Sequence, residues 1–344
     1  MVGSGVKTIV DGYNHIMVDL RDPRMDDFPL MSSPFPVLAI CLTYVWTVCW
    51  LGPRWMKNRP PYDVRRLLVV YNAAQVMLSL LLFYRMLMSG WLFEYSFRCQ
   101  PVDYSSDPKA LYMVTSCWMY FFSKILEFPD TIFFVLRKKF AHVSVLHVVH
   151  HGIMPFSVWW GAKFIPGGHS TFFGLANTFV HIFMYAYYMV AAMGPRYQRF
   201  IRWKKHMTNL QMVQFVAIML HSFQLVFREC DYPTIAFWYI GAHGLLFFML
   251  FLGFYRREYY GKKPKKDDDA VSVVNGSAAT TNGHNGIKTN GSGVAHQSND
   301  FVKQTNGLAR EANGFATPDS NGHMNGYQNG VRARGAASNG VLSH

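Results

Sequence analysis

Three observations predict an all-α polytopic membrane protein with seven transmembrane helices. Seven apolar runs approach membrane length, basic residues fall on alternate sides of them, and polar residues inside the runs recur at helical spacing. The runs are residues 31–51, 67–87, 111–136, 144–161, 170–193, 207–227 and 234–255.

The first run follows residues 1–30, which lack a positive stretch leading into a small-residue cleavage site, so they are expected to persist as a lumenal segment. The second is apolar. The third carries Lys124-Ile-Leu-Glu127-Phe-Pro-Asp130-Thr131, where Pro129 is expected to free a carbonyl and bend the helix near Asp130. The fourth is the shortest and holds His147-Val-Val-His150-His151, three imidazoles at i, i+3 and i+4 on one helix face. The fifth brings Asn177, His181, Tyr185, Tyr187 and Tyr188, and the sixth brings Thr208, Gln211 and Gln214. The seventh is a plain apolar span.

Mean hydropathy is only +0.06 although 51% of the 344 residues are hydrophobic, so a polar segment must offset an apolar body. That segment is 267–344, with ten Asn-Gly dipeptides, and it is expected to be a disordered tail beyond a membrane domain at 31–266. The tail holds five Lys or Arg against six Asp or Glu, so the basic excess lies in the membrane domain.

Connections after runs 1, 3, 5 and 7 hold nineteen Lys or Arg, whereas the opposite side holds seven, among them Arg21, Arg24 and Lys163. The positive-inside rule therefore puts the N-terminus in the lumen and the tail in the cytosol. Cys99 and Cys230 then share the lumenal side, where an oxidising compartment favours a disulfide between them. Cys41, Cys49 and Cys117 lie inside spans as free thiols. Asn275 and Asn290 sit in glycosylation sequons that a cytosolic tail leaves unmodified.

Run direction brings the polar motifs of runs 3 to 6 to one depth, roughly 7 to 18 Å inside the cytosolic boundary at 1.5 Å per residue. Each set shares a face: Asn177, His181, Tyr185 and Tyr188; Thr208, Gln211 and Gln214; Lys124, Glu127 and Thr131. Ionisable groups at bilayer depth are costly and line cavities, so the layer is a candidate site. Packing by the tyrosines, interhelical hydrogen bonding by the glutamines and a register-setting Lys124–Glu127 ion pair are the structural alternatives. The layer has no reactive cysteine, dinucleotide fingerprint or phosphate loop. Histidine serves as base, proton shuttle or nucleophile, and amides or phenols hold an oxyanion. HxxHH also resembles the boxes of membrane di-iron desaturases and hydroxylases, which draw ligands from several boxes; no second box occurs here.

KILEFPDT at 124–131, HVVHH at 147–151, NTFVHIFMYAYY at 177–188 and TNLQMVQ at 208–214 together resemble the animal ELO family of very-long-chain fatty acid elongases over about residues 26–266. The 167–188 stretch is most similar to the subgroups acting on saturated and monounsaturated chains. The resemblance implies six helices enclosing a tunnel, and condensation of long-chain acyl-CoA with malonyl-CoA to a 3-oxoacyl-CoA two carbons longer, with release of CO2 and CoA. It implies His150 as nucleophile through an acyl-imidazole, oriented by His147, His151 and Asp130. Asn177, His181, Gln211 and Gln214 would stabilise the enolate or oxyanion, while Lys124, Glu127, Tyr187 and Tyr188 belong to the substrate site. Arg137, Lys138, Lys139, Arg199, Arg202, Lys204 and Lys205 are candidates for the CoA phosphates, or serve only topology and anionic lipid.

No metal or redox cofactor is implied. Expected partners are membrane lipid of the endoplasmic reticulum and the reductase, dehydratase and enoyl reductase that complete the cycle. A homodimer is compatible with the resemblance, and no nucleic acid is expected. Residence in the endoplasmic reticulum follows from the enzyme class, because the tail ends Val341-Leu-Ser-His344 rather than in a dilysine signal. A catalytically inactive lipid-binding relative and a seven-helix receptor are the competing classes; a receptor's ligand would approach from the opposite side.

Overall fold

Caps and prolines set where the helices begin. Among the residues described by the computed structural model, 2–201 and 203–260, all regular structure is helical. The chain opens with α1 (Val2–Asn14) and reaches α2 (Pro34–Trp46), where Ser33 accepts from the Phe35 N–H and Pro34 supplies the first-turn φ. A π turn at Thr47–Leu51 joins α2 to α3 (Gly52–Met56). Next comes α4 (Arg65–Met86), extended by a second π turn at Leu87–Trp91.

The third run is two helices, α5 (Pro108–Leu126) and α6 (Pro129–Leu136). Proline at 129 has no N–H for the Ile125 carbonyl, which takes the Phe128 N–H instead at 3.1 Å. Then follow α7 (Val145–Phe164), α8 (Thr171–Ala192), the short α9 (Pro195–Gln198), α10 (Lys204–Phe223) and α11 (Thr234–Tyr259). Every expected run is helical.

Among the described residues, five helical stretches are long and apolar enough to cross a membrane: Pro34–Met56, Arg65–Trp91, Gly168–Ala192, Lys204–Phe227 and Thr234–Tyr259. The chain is a multi-pass membrane protein. The third and fourth runs fall outside that set because they are less apolar: the 19 residues of α5 include Lys109, Lys124 and several hydroxyl side chains, and the 20 of α7 include three histidines and Lys163. Apolar side chains such as Leu42, Val70, Met77, Val213, Leu220 and Met249 stand exposed on the long helices, as a lipid-facing surface requires.

Six helices pack in a cyclic order. α4 lies against α8, α8 against α10, α10 against α11, α11 against α7, α7 against α5, and α5 against α4, with α2 outside on α7. At one end, called the box end below, lie the start of α7 and the end of α8. The opposite end is tied by the Cys99–Cys230 disulfide, with Cα atoms 5.7 Å apart, beside a cluster of Leu225, Tyr232, Ala236 and Phe237. Gly168, at φ +66°, closes this end against the loop after α4. A Cβ there would sit 2.8 Å from the Gln100 carbonyl, so only glycine fits.

Residues 20–31 are not a free leader. Met25 and Met31 are fully buried, Phe28 stacks on Trp118, and the Trp118 and Trp159 indoles donate to the Pro29 and Leu30 carbonyls at 3.0 and 2.7 Å. Lys163, expected as a loop charge, is buried and donates to Asp26 at 2.8 Å, while Arg21 binds the same carboxylate. Arg24 pairs with Asp22 and donates to the Asp103 and Ser105 carbonyls. A strongly hydrated ammonium is buried only when it is paired, and sequence order does not reveal a partner 137 residues away.

The expected tail at 267–344, Asn275, Asn290 and Arg202 lie outside the described residues.

Candidate active site

The break between α5 and α6 builds half of the site. Leu126 no longer offers its carbonyl to a helical N–H. Gln75 Nε2 and the Tyr71 hydroxyl of α4 donate to it at 2.8 and 3.1 Å, and Gln75 also donates to Tyr71 at 2.9 Å. This satisfies a polar group that would otherwise be stranded among apolar helices. The chain thereby leaves α5 with Glu127 turned inward and re-enters a helix at Pro129 with Asp130 in its first turn.

Lys124, Glu127, Asn177 and His181 form one buried network. Lys124 Nζ donates to Glu127 Oε1 at 2.6 Å and to Asn177 Oδ1 at 2.9 Å, and its ammonium lies 4.7 Å from the Tyr120 ring centre. The Tyr120 hydroxyl donates to the same Asn177 oxygen at 2.8 Å. With its oxygen so engaged, Asn177 presents its N–H2 to His181 Nε2 at 3.1 Å. Nε2 is therefore the bare nitrogen, and Nδ1, 3.3 Å from Glu127 Oε1, carries the proton. The tautomer follows from the partners. The ion pair read from spacing is thus also the clamp on His181.

Asp130 accepts from the Tyr185 hydroxyl at 2.8 Å, and Thr131 shares a 2.7 Å hydrogen bond with Tyr44 of α2. Tyr185 is fully buried, with Tyr71 edge-on at 6.4 Å. Among the described residues no hydrogen bond joins Asp130 to the histidine box; α8, not α7, holds this carboxylate.

The box occupies the first two turns of α7, where Ser144 caps the helix by accepting from the His147 N–H at 3.3 Å. Pro155 has no N–H to give the His151 carbonyl, which loosens the helix one turn below the box. Ring centres of His147 and His151 are 4.4 Å apart, and those of His150 and His151 are 5.2 Å apart. His150 also packs on Phe247 of α11 at 4.9 Å, and His151 faces Tyr44 at 6.4 Å. Tyr44, bonded to Thr131 and facing His151, links the two halves. Buried nitrogens Nε2 of His147 and Nδ1 of His151 have no hydrogen-bond partner, and His150 makes none among the described residues. His169 Nδ1 and His221 Nε2, toward the disulfide end, are unpartnered as well, so it is the clustering of three adjacent imidazoles that singles out the box.

Other expected residues divide. Gln214 is buried and makes no hydrogen bond among the described residues, whereas Gln211 contacts Met184 Sδ at 3.4 Å. Thr208 is 3.4 Å from the Tyr259 hydroxyl. Tyr187 and Tyr188 stand nearer the box-end mouth, Tyr187 edge-on to Trp203 at 5.5 Å. Lys204 pairs with Glu258 at 2.7 Å, Lys138 donates to the Lys57 carbonyl, Arg199 lies over Phe200, and Lys205 lies over Tyr255 and Tyr260. Arg137 is half-buried at the end of α6. Tyr44, Tyr71, Gln75 and Tyr120 had not been expected in the site. An amide inside the apolar run 67–87 was the available signal for Gln75.

The chain matches the family model described as GNS1/SUR4 (ELO) over residues 29–267. It is 53% identical to very long chain fatty acid elongase 7 of Drosophila melanogaster over 320 residues, covering 93% of this chain and 89% of that one. It is 50% identical to elongase 7 of Rattus norvegicus over 240 residues, covering 69% and 85%. To elongase 1 of Mus musculus it is 44% identical over 278 residues, covering 80% and 98%. The matched span contains every residue of the histidine box and of the Lys124–His181 network, so the chain belongs to the GNS1/SUR4 (ELO) family.

Proposed function

We propose that this protein is a condensing acyltransferase of fatty acid elongation, joining a long-chain acyl-CoA to malonyl-CoA. One observation carries the reading: three adjacent box histidines, two with unpartnered buried nitrogens and one with no protein hydrogen bond, open beside a fully paired Lys124–Glu127–Asn177–His181 network. The network is held rigid by its own bonds. The box is left available for substrate.

In the proposed first step a His150 ring nitrogen attacks the thioester carbonyl, CoA leaves as a thiolate that takes up a proton, and an acyl-imidazole results. Malonyl-CoA then loses CO2, and the enolate so formed attacks the acyl carbon, expelling the imidazole and giving the 3-oxoacyl-CoA. His147 and His151 move protons at their unpartnered nitrogens, Gln214 donates to the enolate oxygen, and Asn177 with His181 fixes the wall against which it forms. The step requires no metal or redox cofactor.

Seven membrane spans, six of them around an acyl tunnel, fit the cyclic helix order. Residence in the endoplasmic reticulum with the box end cytosolic puts the disulfide in the lumen and Arg137, Lys138 and Arg199 beside incoming CoA. Partner enzymes then carry out the reduction, dehydration and second reduction. Purified protein given long-chain acyl-CoA alone should gain the acyl mass, and His150→Ala should not. Labelled malonyl-CoA should then convert the adduct to extended product. Turnover with no adduct under single-turnover conditions would reject the nucleophile, and binding without turnover would reject the enzyme.

A further inference from the structure

Met77, Leu81, Arg85 and Met88 follow i, i+4, i+8 and i+11, one face along the second half of α4 and the turn after it. Met77, Leu81 and Met88 are exposed, as is the adjoining Tyr84, so this face of a membrane-crossing helix lies against lipid. Trp91 ends that apolar stretch at the disulfide end, and Arg85 stands about 9 Å short of it at 1.5 Å per residue. A charge at such a depth calls for a partner.

Lys124 and Lys163 are each paired with a carboxylate, but no ion pair or hydrogen bond among the described residues gives one to Arg85. Glu94, on the loop beyond, is taken by Lys109. Neutral oxygens of α5 hold the guanidinium instead. Nε donates to Ser116 Oγ at 3.1 Å, Nη2 donates to the Tyr112 carbonyl at 3.2 Å, and the guanidinium carbon lies 3.8 Å from the Tyr112 ring centre. Ser116 gives its own hydrogen to the same carbonyl at 2.6 Å, which leaves its oxygen free to accept from Arg85. Tyr112 is one turn nearer than Ser116 to the start of α5, so from Nε to Nη2 the side chain climbs toward the disulfide-end surface. Nη1 makes no hydrogen bond among the described residues.

We propose that Arg85 binds the phosphate of a phospholipid in the leaflet at the disulfide end, on the seam between α4 and α5. The guanidinium fork matches two phosphate oxygens, and the phosphate supplies the negative charge that the protein does not. Met77 and Leu81, deeper on the same face, lie along the acyl chains. The site is separate from the histidine box, which opens at the opposite end of the bundle.

The test supplies delipidated protein in detergent with dioleoylphosphatidylcholine, dioleoylglycerol or inorganic phosphate. Native mass spectrometry counts bound lipid, and melting temperature is read alongside. Wild type should retain a phosphatidylcholine that Arg85→Gln binds about tenfold more weakly, the loss that follows from removing a charge-assisted hydrogen bond. Arg85→Lys keeps a charge and should recover most of the binding. Phosphatidylcholine should also raise the wild-type melting temperature more than dioleoylglycerol does, a comparison that decides the matter even where the glutamine variant fails to fold. Equal retention of phosphatidylcholine by wild type and Arg85→Gln overturns the proposal. Stabilisation of wild type by dioleoylglycerol to the same extent overturns it too, as does equal stabilisation by inorganic phosphate, which marks a free-anion site.

Discussion

Removing Lys124 should destabilise the protein more than removing it together with the charge it serves. Lys124 and Glu127 side chains are 2% and 4% exposed at 2.6 Å separation, so Lys124→Met strands a carboxylate in a dry interior. Breaking one side of such a pair costs roughly 3–5 kcal/mol. His181 Nδ1 at 3.3 Å from Glu127 remains as a partial partner, which puts the expected loss at the lower end, about 3 kcal/mol. Glu127→Gln should cost less, about 1–2 kcal/mol, because Lys124 keeps Asn177 Oδ1 and the Tyr120 ring. The double variant, with neither charge, should lose about 2 kcal/mol, giving a coupling of about 2–3 kcal/mol. The assay is thermal unfolding of detergent-purified protein, followed by loss of the monodisperse peak. At roughly 2–4 °C per kcal/mol for a chain of this size, Lys124→Met should fall about 6–12 °C and the double variant about 4–8 °C. Additive losses would show that the pair is not a coupled buried ion pair and refute the reasoning.

Two further outcomes are expected. Gln75→Leu should cost about 1 kcal/mol, since Tyr71 still serves the Leu126 carbonyl; adding Tyr71→Phe should cost more than the sum, because the carbonyl is then orphaned, and the same melting assay reads both. Partial burial raises the Asp26 pKa, but hydrogen bonds from Lys163 and Arg21 outweigh this and hold it below the usual carboxylate range. Its contribution is therefore complete above the unfolded value of about 3.9 and is lost as pH falls through the folded value. Melting temperature should drop less steeply below about pH 4 in Asp26→Asn than in wild type.

Expectation and structure agree where local chemistry decides. Pro129 forced a break wherever its neighbours lay, and the break falls within a residue of Glu127. The Lys124, Glu127 and Thr131 face was legible because helical spacing carries it; so was the Cys99–Cys230 pair, once charge alternation placed both cysteines on one side. Lys163 was misread as a loop charge because it lies next to a run's end, where lysines usually reach water. Tyr71 and Gln75 were passed over because their acceptor, a main-chain carbonyl 51 residues on from Gln75, exists only after the helix breaks.

By itself the sequence determined which segments are helices and that a histidine-rich polar layer lies inside them, since hydropathy and i+3/i+4 spacing are properties of the chain alone. Only the tertiary structure decided the partners within that layer. Asp130 belongs to Tyr185, His181 to Glu127 and Asn177, and the box histidines to one another. Hydrogen bonds reach about 3 Å, so their pairing depends on how neighbouring helices rotate and pack, a choice made by the whole bundle rather than by any one helix.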